Sequence, residues 1–297
     1  MKTEILLIKR NIRMFFKDWG LFFTSLITPL ILLVLYITFL ANVYRDAYTA
    51  QLGGIPLNEE IIDGLVGGQL FSSLLAVSCV TVAFCSNLLM VQDRVTGVRR
   101  DLLVAPVRKS SLAVGYYAAT FLVTLLIVFV AMGASLIYLA IVGWYLSLLD
   151  VLCLLLDCFL LTLFGTALSS VINYFLTTQG QMSAVGTIIS SCYGFICGAY
   201  MPISSFSEGL RNVISFLPGT YGTALLRRHA LRGAFGEMEK AGVPEQIVEA
   251  LRDSVDSNLY FFGDKVEEYV MYLILGGFAV LMLSLFILIN RLDKRKN

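Results

Sequence analysis

The chain has 297 residues, of which 58% are hydrophobic and 14% charged, against about 25% charged in a typical soluble domain. Five long charge-free runs, at 19–44, 64–92, 110–149, 158–207 and 269–290, exclude a soluble globule. The formal net charge of +1 names no partner, and no nucleic-acid binding is expected.

A helix needs about 20 apolar residues to cross a bilayer core. The run 158–207 therefore holds two crossings with a turn between them, and the chain holds six. No signal peptide is expected at the start. Run 19–44 is too long for an apolar signal core, lacks a small-x-small cleavage site and precedes further spans.

In chain order, residues 1–18 come first. Ile5, Ile8, Ile12, Phe15 and Phe16 recur at helical spacing, with Lys9, Arg13 and Lys17 elsewhere around the wheel. That pattern predicts an interfacial amphipathic helix contacting membrane lipid. The rest, 19–297, reads as one six-span domain. Its spans lie at about 21–44 (containing Pro29), 66–90, 111–141, 151–172, 182–200 and 269–290. Gly143-Trp144-Tyr145 marks an interface, where amphipathic rings settle.

The segment 201–268 is the one long stretch expected outside. Phe206, Leu210, Val213 and Leu217 share a helical face, Pro218-Gly219 breaks it, and a second short helix is expected over 220–231. Segments this apolar and too short to span predict a re-entrant pair. Beyond Gly233 the chain turns polar. Pro244 fits the first turn of a helix, and Ile247, Leu251 and Val255 keep a period of four. A small helical insertion is expected there.

Cations cluster in 1–18, in 92–110 (Arg94, Arg99, Arg100, Arg108, Lys109) and in the tail (Arg291, Lys294, Arg295, Lys296). Residues 45–63 hold Arg45 against Asp46, Glu59, Glu60 and Asp63. The positive-inside rule puts both termini and 92–110 in the cytoplasm of a plasma-membrane protein. Two cytoplasmic termini require an even number of spans.

Few residues suggest chemistry. There is no Gly-Lys pair, hence no phosphate-binding loop. His229, the one histidine, shows no positioned partner and reads as an ordinary interfacial residue. Asp157 is a carboxylate inside a span, expected to pair with an outer arginine or to serve an outer gate. Asp150 lies on the same face. Gly194 and Gly198 form a Gly-x-x-x-Gly, which allows a dimer seam or intramolecular packing. The six cysteines lie in apolar runs and read as small buried hydrophobes. No metal, cofactor or catalytic residue is assigned to the chain.

The segment 92–107 is the most informative loop. It reads as a short helix broken at Gly97 and Pro106, whose Leu102, Leu103 and Val104 should dock on something. With its Asp93, Thr96-Gly97 turn, Arg99-Arg100-Asp101-Leu102-Leu103 helix and Pro106-Val107 end, it resembles the cytosolic coupling region of type-2 ABC exporter permeases. The stretch from Gly198-Ala199-Tyr200-Met201-Pro202-Ile203 through Phe216-Leu217-Pro218-Gly219-Thr220-Tyr221 to Leu231-Arg232-Gly233 is similar to that family's fifth-span end and re-entrant helices.

The resemblance implies an all-α membrane subunit, paired as a homodimer and served by two copies of a separate ATPase that carries ATP and Mg. It implies coupling to that ATPase through Arg94, Arg99, Arg100, Leu102 and Leu103. It also implies a substrate pathway at the dimer interface, for which Ser73, Thr81, Asn87, Ser183, Thr187 and Ser190 are the lining candidates. Pro202, Pro218 and Tyr221 would belong to an outer gate. Small hydroxyls along the pathway favour an amphiphilic or lipid-like cargo (a drug, lipid or peptide), with polysaccharide or lipid-linked polymer export as the alternative. A membrane-embedded enzyme would need clustered acids or histidines, which only Asp150 and Asp157 approach. A channel would need a charged ring or carbonyl filter.

Overall fold

Helices account for nearly all regular structure, as expected where apolar runs must satisfy their own backbone groups. The computed structural model describes residues 2–104 and 107–292. In order it holds α1 (Lys2–Lys17), α2 (Trp19–Leu35), a π-turn (Tyr36–Leu40), α3 (Ala41–Gln51), α4 (Glu59–Val95), α5 (Val98–Val104), α6 (Lys109–Val142), α7 (Leu148–Tyr174) and α8 (Gln179–Ile196). After a 3₁₀ turn (Ile203–Ser205) come α9 (Glu208–Ile214), α10 (Pro218–Lys240), α11 (Glu245–Ser254), strands β1 (Tyr260–Phe261) and β2 (Asp264–Lys265), and α12 (Glu268–Leu292). Pro106 and the tail residues Lys294, Arg295 and Lys296 lie outside the described residues.

Among the described residues, five helices are long and apolar enough to cross a membrane: Trp19–Gln51, which runs through the π-turn, Glu59–Val95, Lys109–Val142, Leu148–Tyr174 and Glu268–Leu292. These correspond to the expected spans one, two, three, four and six. The expected fifth span, 182–200, is an 18-residue helix ending at Ile196, shorter and more polar than the others. At 1.5 Å per residue it is about 27 Å long.

α4 is the axis of the fold. Its whole apolar window is buried, enclosed by α2, α6, α7, α8 and α10. Side-chain caps fix several helix starts. Asp18 accepts from the Leu21 amide at 3.1 Å, and Ser147 with Asp150 closes a reciprocal box at the head of α7, removing donors that would otherwise be orphaned.

Three features differ from the sequence reading. First, α10 does not stop at Leu231 but runs 23 residues to Lys240. Pro218 sits in its first turn, where a missing amide costs nothing. Ala234, Phe235 and Met238 are buried, so the core-facing stripe continues past Gly233. Second, α9 is only seven residues long, and Leu210 and Val213 on it are exposed. Third, a hairpin pairs Tyr260 with Lys265 and Phe261 with Asp264. Its two-residue loop, Phe262-Gly263, has positive φ at both positions (51° and 98°), the turn type that matches strand twist. Phenylalanine is an unusual residue there, so the turn gave no sequence signal.

The Gly-x-x-x-Gly is used inside the chain. A Cβ on Gly194 would fall 2.3 Å from the Tyr200 ring, and Gly198 takes φ +76° just past the end of α8. There the Ala199 and Tyr200 amides return to the Gly194 carbonyl at 2.8 and 2.9 Å. The pair builds a helix terminus.

Candidate functional site

The loop expected in the cytosol forms where α4 ends. Gly97, at φ +86°, reverses the chain, and α5 follows at once, mounted on the C-terminal end of α4. Leu102 and Leu103 do not stand free. With Val107 they pack against Leu7, Met90, Leu112 and Tyr116 of their own chain. Arg100 and Asp101 are exposed, Arg99 is half-buried, and Val104 is 87% exposed. The free surface of α5 is therefore Arg100, Asp101 and Val104.

Arg94 is turned inward. Its guanidinium donates to the carbonyls of Tyr174 and, at 2.9 Å, Leu176, and lies 5.2 Å from the Tyr174 ring centroid. It caps carbonyls at the end of α7, where a cation complements the helix dipole. It therefore ties α4 to α7. Next to it Asp93 is buried, chelated by both terminal nitrogens of Arg10 and accepting from the Tyr116 hydroxyl at 2.6 Å. Sequence spacing could not have paired α1, α4 and α6 through this carboxylate.

The pathway candidates fall into two groups. Ser73, Thr81 and Asn87 sit on α4 and are all buried. Ser73 accepts from Arg227 at 3.2 Å, and Thr81 donates to the Val77 carbonyl at 3.0 Å. The Asn87 amide donates to Ser169 and Ser170 at 3.1 and 3.0 Å. Of these three, Ser73 and Asn87 bond to neighbouring helices, and Thr81 bonds within α4 itself. Ser183 and Thr187 of α8 are exposed and Ser190 is half-buried. With Ser191 they form a strip of small hydroxyls at i, i+4, i+7 and i+8. A separate apolar groove of about 540 Å³ opens between α2, α4 and α6, lined among others by Phe22, Leu33, Phe71 and Val130.

The opposite end of the molecule carries two buried polar constellations. One centres on Arg227, with 0% side-chain exposure. It donates to the carbonyls of Val255 (2.8 Å) and Gly198 (2.9 Å) and to Ser73, and lies 3.4 Å from Asp256. Asp256 in turn accepts the amides of Ile203 and, at 3.0 Å, Ser204. Burial pushes the Asp256 carboxyl above its usual range against the pull of Arg227 and these amides. One side chain thus joins α4, α10, the end of α8 and the loop after α11. Pro202 directly precedes the 3₁₀ turn held by Asp256, and Pro218 starts α10. Tyr221 donates to the Ser215 carbonyl at 2.6 Å, closing the α9–α10 corner.

The other constellation overturns the reading of His229 as partnerless. Its Nδ1 lies 2.6 Å from Asp157 and its Nε2 3.3 Å from Glu268, while the Tyr272 hydroxyl donates to the second Asp157 oxygen at 2.7 Å. Asp157 is not paired with an arginine; Arg232 goes to Asp150, 3.3 Å away. The partners stand 72 and 39 residues from His229 in sequence, so no local pattern could reveal them. The one available signal was an acid inside an apolar span, which implies a buried partner.

The profile of the ABC-2 type transporter family matches residues 4–229, most of the chain, from α1 to His229. The chain belongs to that family. It is a multi-pass membrane protein and a permease of the ABC transporter class. Comparison with curated proteins finds no match.

Proposed function

We propose that the chain is the membrane half of an ATP-driven exporter in the plasma membrane, acting as a homodimer with two copies of a separate ATPase that carries ATP and Mg. In this reading α8 is a sixth crossing, both termini are cytoplasmic, and α9 with the start of α10 forms a re-entrant pair at the outer side. The observation that carries it is the mounting of α5. A short helix with an exposed Arg100-Asp101 tip and Val104 stands on the end of the most enclosed helix in the molecule. Force applied there reaches α4 directly, α7 through Arg94, and α1 and α6 through the Arg10–Asp93–Tyr116 cluster. ATP-driven closure of the ATPases would rock these helices between inward- and outward-facing arrangements.

The strip Ser183, Thr187, Ser190 and Ser191 on α8 is the face we assign to the partner copy and the substrate pathway, in preference to Ser73, Thr81 and Asn87. Small hydroxyls beside apolar Ile188 and Phe195 suit an amphiphilic or lipid-like cargo. Pro202, Pro218 and Tyr221 form the outer gate.

The test is Val104→Asp, which adds charge to an exposed position without touching the chain's own core. Co-reconstituted with its ATPase, the variant should insert normally while substrate-stimulated ATP hydrolysis drops at least about tenfold, or 1.4 kcal/mol of coupling. Wild-type stimulation with full transport would show that α5 does not meet the ATPase.

A further inference from the structure

Eight ionisable side chains meet where α7, α10 and α12 converge. Arg228 and Arg232 both contact Glu268, at 3.3 and 3.4 Å, and Arg232 also contacts Asp150 at 3.3 Å. His229 lies between Asp157 and Glu268. Tyr272 closes the far side of Asp157, and Cys153 of α7 is a half-buried thiol one helical turn from Asp157. The facing stretch of α4 is charge-free from 64 to 92.

Two counts point the same way. A neutral imidazole has one N–H and one lone pair, yet here each ring nitrogen faces a carboxylate oxygen. Without an additional proton, one of those contacts is lone pair against lone pair. The charges agree. Three carboxylates (Asp150, Asp157, Glu268) against two guanidiniums leave one negative charge over, and a protonated ring brings the sum to zero. Asp157 and His229 are both at 0% exposure, where an uncompensated charge is costly.

We propose that this cluster is a proton-binding site in which His229 is held as an imidazolium bridging Asp157 and Glu268, and that its proton is exchanged with the outer compartment and controls transport. The cluster opens to the protein surface at Glu268, the first residue of α12, whose side chain is 32% exposed. Loss of the proton sets the ring's lone pair against a carboxylate and weakens the hold of α10 on α12. α10 also carries Pro218 and Tyr221. The outward direction rests on the proposed topology and the transport role on the proposed export function; the bound proton rests on neither.

Because His229 is the one histidine in the sequence, ¹⁵N-imidazole NMR of the purified chain in lipid nanodiscs reads this site alone, with no ATPase present. At about pH 7.5, a pH at which an ordinary histidine with a pKa of about 6.5 is mostly neutral, both ring nitrogens should be protonated. Glu268→Gln should return the ring to ordinary titration. A neutral ring at that pH in the wild type overturns the site. In vesicles carrying the ATPase, raising external pH by about two units should slow wild-type transport several-fold, while His229→Gln should give a flat profile. A protonated ring with transport indifferent to external pH would overturn the control role. Loss of ATPase-coupled transport at every pH would instead count against the export reading, leaving the NMR result to decide the site.

Discussion

Arg227 and Arg228 are adjacent, yet successive helical residues point about 100° apart, and that angle separates their roles. Arg227 is fully enclosed and draws four segments together, whereas the Arg228 side chain is 29% exposed and contacts Glu268. Removing one partner of a buried pair leaves an uncompensated charge and costs about 3–5 kcal/mol. A partly exposed pair is worth under about 1 kcal/mol. Arg227→Met should therefore lower the thermal midpoint in detergent severely, and Arg228→Met should barely move it. Equal effects would mean that Asp256 is held by its backbone amides alone. In the sequence His229 read as an ordinary interfacial residue. That Arg227 and His229 both turn inward was not readable, because the partners Asp157, Asp256 and Glu268 arrive from distant parts of the chain.

At the scale of elements, span positions were well marked in the sequence because charge ends an apolar run sharply. α4, α6, α7 and α12 enclose the expected spans with a few residues added at each end. The extension of α10 was not legible, since Gly233 in a polar stretch ordinarily signals a break. Its actual role is contact. A Cβ at Gly233 would lie 1.7 Å from the Tyr145 carbonyl oxygen, whereas one at Gly236 meets nothing within 4 Å. Gly233→Ala should thus cost about 1–3 kcal/mol through overpacking. Gly236→Ala should be neutral or stabilising by up to about 1 kcal/mol, because alanine loses less entropy in a helix. Unfolding midpoints of the two variants check this directly, and a stable Gly233→Ala would show that α10 can slide away from the α6–α7 loop.

For the whole molecule, the central place of α4 could not be read from its residues, since helix sides facing lipid and sides facing protein are both apolar. Its candidates Ser73, Thr81 and Asn87 were readable as polar residues in an apolar span, but not their burial among α6, α7, α8 and α10. The matched family region ends at His229, so the rest of α10, α11, the hairpin and α12 lie beyond it. The orientation of the bundle can be measured by cysteine labelling in a background without native cysteines, needed because Cys192 is exposed. Glu59→Cys and Glu245→Cys should react with an impermeant maleimide from outside intact cells, and Arg100→Cys only after permeabilisation. Reaction of Glu245→Cys from the cytoplasmic side alone would invert or break the six-span topology.

The π-turn at Tyr36–Leu40 sets the angular phase of everything after it in the first long helix. An i→i+5 turn holds about one residue more than an α-turn, so the side chains of α3 are set back by roughly 100° from where a continuous α-helix would aim them. With that offset Tyr48 is buried and Arg45 meets Asp63 on α4. Residues 19–35 and 41–51 are therefore two helical wheels joined at a fixed angle. Within those five residues, length and direction are the same variable: gaining or losing one residue would change the way the C-terminal end of the helix faces.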